Sequence, residues 1–519
     1  MNTTDFLSIA NGICPDRLAI VFEGKRWTFA QINDRVDRLA NGLDRLGVHP
    51  GDRIGILQVN CNEYVESYYA SAKLGAIFVP LNFRAKAEEL RYMISHAEVK
   101  VLFIGSRYWD VLNAILAQLP TLRECISIDG PREGRTDYED LICSSASNES
   151  SREIGDEDIT ILMYTSGTTG RPKGVPLRHN AFVTYILDNI DPASPEIEER
   201  NLLTVPLYHV AGMQAMLAAI YGGRTLVLMR QFEVKEWLET VQHQKATRAM
   251  LVPTMLKRVI DHQDLAKYDL SSLKVITYGA APMPFEVIHK AIHQMPWVRF
   301  INAFGQTETA STITTLGPED HIIEGTEEEL ERKLKRLTSS IGKPLPDVEV
   351  KIVDEEGETL PALEVGEIWT RGSRIMTGYW RDEEKTSQVI TSDGWLRTGD
   401  MGWMDGEGYI YLAGRADDMI IRGGENISPE EVEDVLCAHP KIEEAAVIGV
   451  PDVEWGQEPR AIIVLKKGET ATQEEIVEYC RARLAGFKRP RSVVFVDSLP
   501  RHPMGKLMRK KLREEYGMP

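Results

Sequence analysis

The sequence predicts an α/β protein in two parts: a large N-terminal domain of layered α/β subdomains plus a β-rich subdomain, followed by a small α+β C-terminal domain. Three observations carry this. Helical and strand-like hydrophobic patterns alternate over most of the chain, which argues for layered, largely parallel sheet. From Val348 to Leu412 the pattern turns to short strands with Gly-bearing turns such as Asp393-Gly394 and Asp405-Gly406. The polar stretch Gly414-Arg415-Ala416-Asp417-Asp418 then sets off a final segment the size of one small domain. A chain of 519 residues has room for this division and for a large core.

Each element has local grounds. Thr28 with Gln31 forms a capping box for a helix whose Ile32, Val36, Leu39, Leu43 and Leu46 recur at helical spacing, and Gly47 ends it. A strand at residues 53–57, a helix at 64–74, a strand at 76–80 and a further alternation over 93–104 follow. Residues 144–158, rich in Ser, Asn, Glu and Asp, read as a linker, and 159–164 as a buried strand. Strands are expected at 202–205, 275–279 and 298–301. Thr326 with Glu329 caps a surface helix without chemistry, with Leu330, Leu334 and Leu337 on one stripe and Glu329/Lys333 and Glu331/Lys335 as i,i+4 pairs. The last segment reads as helix 429–436, strands near 446–448 and 461–465, helix 473–484 and strand 493–496.

Composition narrows the function classes. Hydrophobic content of 43% and charged content of 27% are ordinary for a globular protein, and a formal net charge of −18 disfavours nucleic acid or an anionic membrane as partner. From Arg481 onward, however, eleven Lys/Arg stand against three acids. That stretch reads either as a solvated basic tail or as a surface meeting a polyanionic small molecule. Six scattered cysteines have neither C-x-x-C nor metal-ligand spacing, as expected of free thiols in a reducing compartment. No targeting signal or membrane-spanning stretch is recognisable, so a cytoplasmic protein is expected.

The chemistry concentrates in residues 163–174, Met-Tyr-Thr-Ser-Gly-Thr-Thr-Gly-Arg-Pro-Lys-Gly, between the 159–164 strand and a helix that Asn180 could open. Gly167, Gly170 and Gly174 let backbone approach an anion; Thr165, Ser166, Thr168 and Thr169 offer hydroxyls; Arg171 and Lys173 add charge. This is a polyphosphate loop. It is not the P-loop of Walker NTPases, because Gly170 is followed by Arg171 and Lys173 by Gly174.

At these residues the sequence resembles the adenylate-forming ligases: acyl-CoA synthetases, adenylation domains and luciferases. The resemblance runs along almost the whole chain with motifs in the family's order. It implies an N-terminal adenylation domain over 1–414, a hinge at 415–418 with Asp417 as its pivot, and a mobile C-terminal domain over 419–519. For ATP it implies Gly279, Ala280 and Ala281 beside adenine, then Asn302, Phe304 and Gly305 flanking the base. Thr307 would bond the α-phosphate, Glu308 would bind Mg²⁺ with Thr165 near the same ion, and Asp400 and Arg415 would meet the ribose or phosphate. Residues 499–506, Leu-Pro-Arg-His-Pro-Met-Gly-Lys, resemble the catalytic-lysine motif, with His502 where Thr or Asn is common, and make Lys506 the catalytic cation.

By the same resemblance Gly423, Gly424 and Glu425 border a thiol tunnel, and Trp455, Phe487, Lys488 and Arg489 suit the nucleotide of coenzyme A. His209 stands where the family places a gate between carboxylate and thiol. The acid pocket would comprise His209, Val210, Met213, Val252, Thr254, Gly279, Ala280, Gly305, Ala310 and Ser311. Apart from His209 these are small or apolar, so a hydrophobic monocarboxylate is expected: fatty, aromatic or alicyclic. The implied activity is AMP-forming acid–CoA ligation with ATP, Mg²⁺ and CoA, in a possible homodimer. Its alternatives are loading of a carrier protein, a luciferase-like oxygenase, and a non-catalytic nucleotide-binding regulator.

Overall fold

In the computed structural model the apolar strands gather into three sheets. The structure describes residues 1–148, 152–165, 171–415, 418–422, 425–452, 455–481, 483–501 and 507–518, with backbone alone for Glu425 and Asn426.

The first sheet has seven strands in the spatial order Thr136–Asp137, Glu124–Ser127, Val99–Ile104, Arg53–Leu57, Ile77–Pro80, Ile159–Thr165, Lys173–Arg178. All pairs but the last are parallel. Parallel strands covered by helices on both faces are apolar throughout, and Ile77–Pro80 is buried at every position. The Phe29–Arg45 helix covers this layer as expected: Thr28 and Gln31 close the capping box, Ile32, Val36, Leu39 and Leu43 are buried, and Gly47 follows in the left-handed region at φ 78°. Leu46 departs from the expected stripe, being the exposed C-cap.

The second sheet has thirteen strands. A parallel run from Leu18–Phe22 to Arg299–Gln306 becomes antiparallel at Ser311–Leu316 and continues through Ser340–Pro344, Ile410–Arg415, Leu396–Met404, Gly366–Arg371 and Glu349–Val353. The β-rich subdomain is therefore a hydrogen-bonded extension of the parallel sheet, joined where Thr314 and Thr315 pair with Pro344 and Lys343. The Glu327–Ser339 helix forms with its capping box, but its expected i,i+4 cations are used otherwise. Glu329 serves the cap, Lys333 donates to the carbonyls of Ile322 and Glu324, and Lys335 lies over the rings of Trp403 and Tyr411.

The third sheet makes the C-terminal part, with Gly456–Leu465 antiparallel to Ile442–Asp452 and parallel to Ser492–Phe495. Helices Pro429–Cys437 and Gln473–Arg481 close a core of Ile420, Val432, Leu436, Val447, Ile463 and Ile476. Here part of the basic surplus is paired within the domain. Arg509 is buried against Glu430 (2.9 Å) and Glu433 (2.6 Å), and Arg513 reaches Asp418 at 2.5 Å. Arg501 bonds Glu444, and Lys488 bonds both oxygens of Glu431. Burial alone would lower the affinity of Arg509 for its proton; the surrounding carboxylates more than reverse this and hold it charged. A count along the sequence could not reveal that the Pro429–Cys437 helix supplies the compensating acids. Lys257 on the large part pairs with Glu443 on the small one at 2.6 Å.

Candidate active site

The phosphate loop departs from the strand-to-helix expectation. The chain returns from it as the strand Lys173–Arg178, antiparallel to Ile159–Thr165, and only then does the His179–Asn189 helix begin. Val175 and Leu177 alternate inward, which lets this short segment complete the sheet edge. The register sets Thr165 opposite Lys173, so both ends of the loop stand side by side. Ser166, Gly167, Thr168, Thr169 and Gly170 lie outside the described residues. Lys173 Nζ sits 4.8 Å from the Tyr379 ring centroid, and the Arg171 guanidinium 5.6 Å from that of Tyr92.

Next to this edge the Arg299–Gln306 strand runs further than expected and carries Asn302, Phe304 and Gly305 within it, ending in the short turn Thr307–Thr309. Its neighbour Val275–Gly279 ends at Gly279, opposite Ala303. A side chain at Gly279 would come within 2.1 Å of the Ala303 carbonyl oxygen, and one at Gly305 within 1.7 Å of the Ser311 carbonyl oxygen. Glycine is thus required at both by the close approach of backbone. Ala280 (φ 67°), Ala310 (φ 49°) and Ser311 (φ 88°) hold left-handed conformations beside them, each at a cost of about 1–3 kcal/mol. Such strain clustered on one rim marks a shape that the surrounding sheet enforces.

Polar groups converge at the same strand end. Asp400 Oδ1 accepts from Arg415 Nη1 at 2.7 Å, the two being cross-strand partners, and Oδ2 accepts from Gln306 Nε2 at 2.6 Å. Gln306 also donates to the Thr398 carbonyl at 2.9 Å. Glu308 Oε1 accepts from the Tyr379 hydroxyl at 3.0 Å, and its backbone carbonyl accepts from Met376 N–H at 2.9 Å. Burial first, and then the Glu308 charge, push the Tyr379 phenol upward, keeping it a donor. Trp380 N–H bonds the Gly174 carbonyl at 2.8 Å, so residues 376–380 tie the Glu308 turn to the strand leaving the phosphate loop. Gln306 and Tyr379 received no role from the sequence. Gln306 stood inside the recognised motif, whereas nothing local marked Tyr379.

His209 is the N-cap of the Val210–Tyr221 helix, with its ring 4.3 Å from that of Tyr208. Val210 and Ser311 keep slight exposure, whereas Met213 and Ala310 are closed into the core. Val252 and Thr254 border a cavity of about 320 Å³ together with Phe83, Arg84, Arg258 and Arg501. Three guanidinium groups around one cavity suit a phosphate-bearing ligand better than an acyl chain.

In the small part, Arg415 closes the Ile410–Arg415 strand, and Asp418 is held by Arg513 and Arg509. Asp417, Gly423, Gly424 and Lys506 lie outside the described residues, and Glu425 is seen as backbone paired with Arg422. The CoA candidates are spread over this part. The Arg422 guanidinium lies 4.6 Å from the Trp455 ring centroid, Phe487 packs on the core, and Arg489 Nε donates to the Leu484 carbonyl at 3.0 Å.

A family model described as AMP-binding enzyme matches residues 10–380, and one described as AMP-binding enzyme C-terminal domain matches 431–506. The chain belongs to the AMP-binding enzyme family. A feruloyl-CoA synthase of Amycolatopsis sp is 34% identical over 97% of this chain and 96% of its own. An indoleacetate–CoA ligase of Aromatoleum aromaticum is 33% identical over 99% and 98%, and a mitochondrial medium-chain acyl-CoA ligase of Mus musculus 34% over 96% and 85%. Among solved structures, an anthranilate CoA ligase in complex with anthranoyl-AMP superposes with TM-score 0.89 at 29% identity, covering 99% of this chain and 97% of that one. ATP-bound MatB from Rhodopseudomonas palustris does so with TM-score 0.89 at 29% identity over 100% and 99%. The AMP-binding enzyme described here is an AMP-forming acid–thiol ligase of the acyl-CoA ligase kind, and ATP and CoA are the family's substrates.

Proposed function

We propose that this ligase activates a hydrophobic monocarboxylate, fatty, aromatic or alicyclic, as an acyl-adenylate and passes it to CoA. The observation that carries the reading is the convergence at the end of the Arg299–Gln306 strand. Gln306 joins the base-flanking motif to Asp400, and Tyr379 joins Glu308 to the phosphate-loop edge. An adenine slot at Gly279 and Gly305, a ribose carboxylate at Asp400 and a phosphate edge at Thr165 and Lys173 make one nucleotide site.

In that site a carboxylate oxygen of the acid attacks the α-phosphorus of ATP and pyrophosphate leaves. Thr307 donates to the α-phosphate, and the Lys506 ammonium neutralises charge gathering there, an electrostatic role prepared before the reaction. The donor set of Glu308 and Thr165, all oxygen, fits Mg²⁺, which would screen the phosphates when bound. Rotation about Asp417 would withdraw Lys506 and bring Gly423, Gly424 and Glu425 to the site, whereupon the thiol of CoA attacks the acyl carbon and AMP leaves. The 320 Å³ cavity with Arg84, Arg258 and Arg501 supports an approach for CoA, with Trp455, Phe487, Lys488 and Arg489 on the nucleotide. Lys488 would then exchange Glu431 for phosphate.

The test is pyrophosphate release and acyl-CoA formation with MgATP and CoA across fatty, aromatic, alicyclic and dicarboxylic acids. A hydrophobic monoacid is expected to give CoA-dependent thioester. Adenylate formation that ignores CoA, or preference for a dicarboxylate, would contradict the proposal.

A further inference from the structure

Away from the connection at 415–419, the large and small parts of the chain are joined by an ion pair. Lys257 Nζ, on the Pro253–Ile260 helix, stands 2.6 Å from Glu443 Oε1 on the Ile442–Asp452 strand. Neither residue belongs to the nucleotide site. In the large part the network continues: Asp261, the C-cap of the same helix, accepts from Lys257 at 3.2 Å and also from Lys290 on the Phe285–Gln294 helix. Two ammonium groups thus share one carboxylate there, leaving a surplus of one positive charge. Glu443 cancels that surplus from across the boundary. Burial alone would weaken the hold of Lys257 on its proton, but the bonds to Glu443 and then to Asp261 more than reverse this.

The small-part end of the pair is tied to the segment that carries the chemistry. Glu444, the next residue along the strand, accepts from Arg501 Nη2 at 3.0 Å. Arg501 in turn bridges Leu507, the residue after Lys506, and lines the 320 Å³ cavity with Thr204, Val252, Thr254 and Arg258 of the large part. Arg258 directly follows Lys257. Two adjacent carboxylates therefore work in opposite directions: Glu443 grips the large part, and Glu444 holds the start of the lysine-bearing segment. They cannot move independently, because the strand they share is anchored in the small core by Ile442 and Ala445. The Lys257 and Glu443 side chains keep 38% and 40% exposure, so water can replace each partner when the two parts separate.

We infer that Lys257 and Glu443 are positioning residues: a latch that holds the small part where Lys506 serves adenylation, and that opens for transfer of the acyl group to the thiol. This rests on the acid–CoA ligase reading and deepens it. The latch is placed to act on the rate of the first half-reaction and not on the binding of ATP or acid. A half-exposed pair shifts an equilibrium by roughly twofold to fivefold, enough to bias two arrangements without locking either.

The experiment measures acid-dependent ATP–pyrophosphate exchange and, separately, thioester formation from supplied acyl-adenylate and CoA. It uses the intact enzyme, Lys257→Ala, Glu443→Ala, the double variant and Lys257→Arg. Each alanine variant should lower kcat for exchange by about twofold to fivefold, keep the KM for ATP and for acid, and leave thioester formation as fast or faster. The double variant should be no slower than either single one, since both remove the same contact, and Lys257→Arg should retain exchange. Added salt should slow exchange more in the intact enzyme than in Glu443→Ala. If Lys257→Ala loses structure through Asp261, Glu443→Ala decides, because Glu443 is exposed. Unchanged exchange in Glu443→Ala, losses that add in the double variant, or equal losses in both half-reactions would overturn the latch while leaving the ligase reading intact. Absence of exchange in the intact enzyme with every acid would overturn both.

Discussion

The proposed nucleotide-facing and acid-facing sides of the site are built on opposite plans. On the nucleotide side the key polar groups have protein partners: Asp400 holds Arg415 and Gln306, and Glu308 holds Tyr379. On the proposed acid side the expected residues are small or apolar, and Val210 and Ser311 keep only slight exposure. The contrast teaches that the shared chemistry rests on preorganised polar geometry, while the choice of acid rests on a few small side chains. Changes on the first side should scale all acids together; changes on the second should reorder them.

The largest expected effect is that of Lys506→Ala, which should lower acid-dependent ATP–pyrophosphate exchange by on the order of a hundredfold to a thousandfold for every acid accepted. Thioester formation from supplied acyl-adenylate should suffer far less. Comparable loss in both half-reactions would deny the division of labour about the hinge.

Next comes the support of the proposed adenine slot. His321 Nδ1–H donates to the Gly317 carbonyl (2.7 Å) and Nε2 accepts from the Tyr278 hydroxyl (2.8 Å), one residue before Gly279. Burial holds this histidine neutral and pulls its pKa down to about 4; the Gly317 bond and Asp320 oppose the shift only in part. His179, buried beside Thr3, is likewise drawn down to about 4 by burial. A folded pKa below the unfolded one means that stability is complete above pH ~6.5 and lost as pH falls towards ~4. Each histidine contributes at most about 3 kcal/mol to that loss. Urea unfolding of the intact protein and of His321→Gln at pH 7 and pH 5 should show it as a smaller loss of stability towards pH 5 in the variant.

Asp400→Asn should raise the KM for ATP by roughly tenfold to a hundredfold, the loss of about 1.5–3 kcal/mol of charge-assisted hydrogen bonding. Initial-rate kinetics on two unlike acids would read the same factor for both. Val210→Phe, on the proposed acid side, should cost bulky ring acids about tenfold while sparing a narrow chain, as overfilling a close-packed wall costs about 1–3 kcal/mol. A uniform loss would place Val210 away from the acid. Smallest of all, Lys333→Ala on the Glu327–Ser339 helix should shift unfolding by no more than about 0.5 kcal/mol and leave both sides untouched.

The two sides also differ in how far the sequence reveals them. Thr165, Lys173, Phe304, Glu308 and Asp400 sit in short segments whose residue types carry their chemistry, and the strand Arg299–Gln306 brings several of them together. Tyr379 was illegible because it meets Glu308 from 71 residues away in the chain. The return of the phosphate loop as a strand was hidden because Lys173–Arg178 is short and carries a proline, so two inward residues were its whole signal. A count of charge along the basic tail does not show that Arg509 is balanced across space by Glu430 and Glu433.

The most direct test of this division is pyrophosphate exchange for one ring acid and one fatty acid in Asp400→Asn and Val210→Phe, measured side by side. One common factor for both acids is expected in Asp400→Asn and a changed ratio in Val210→Phe. A changed ratio in Asp400→Asn, or a common factor in Val210→Phe, would contradict it.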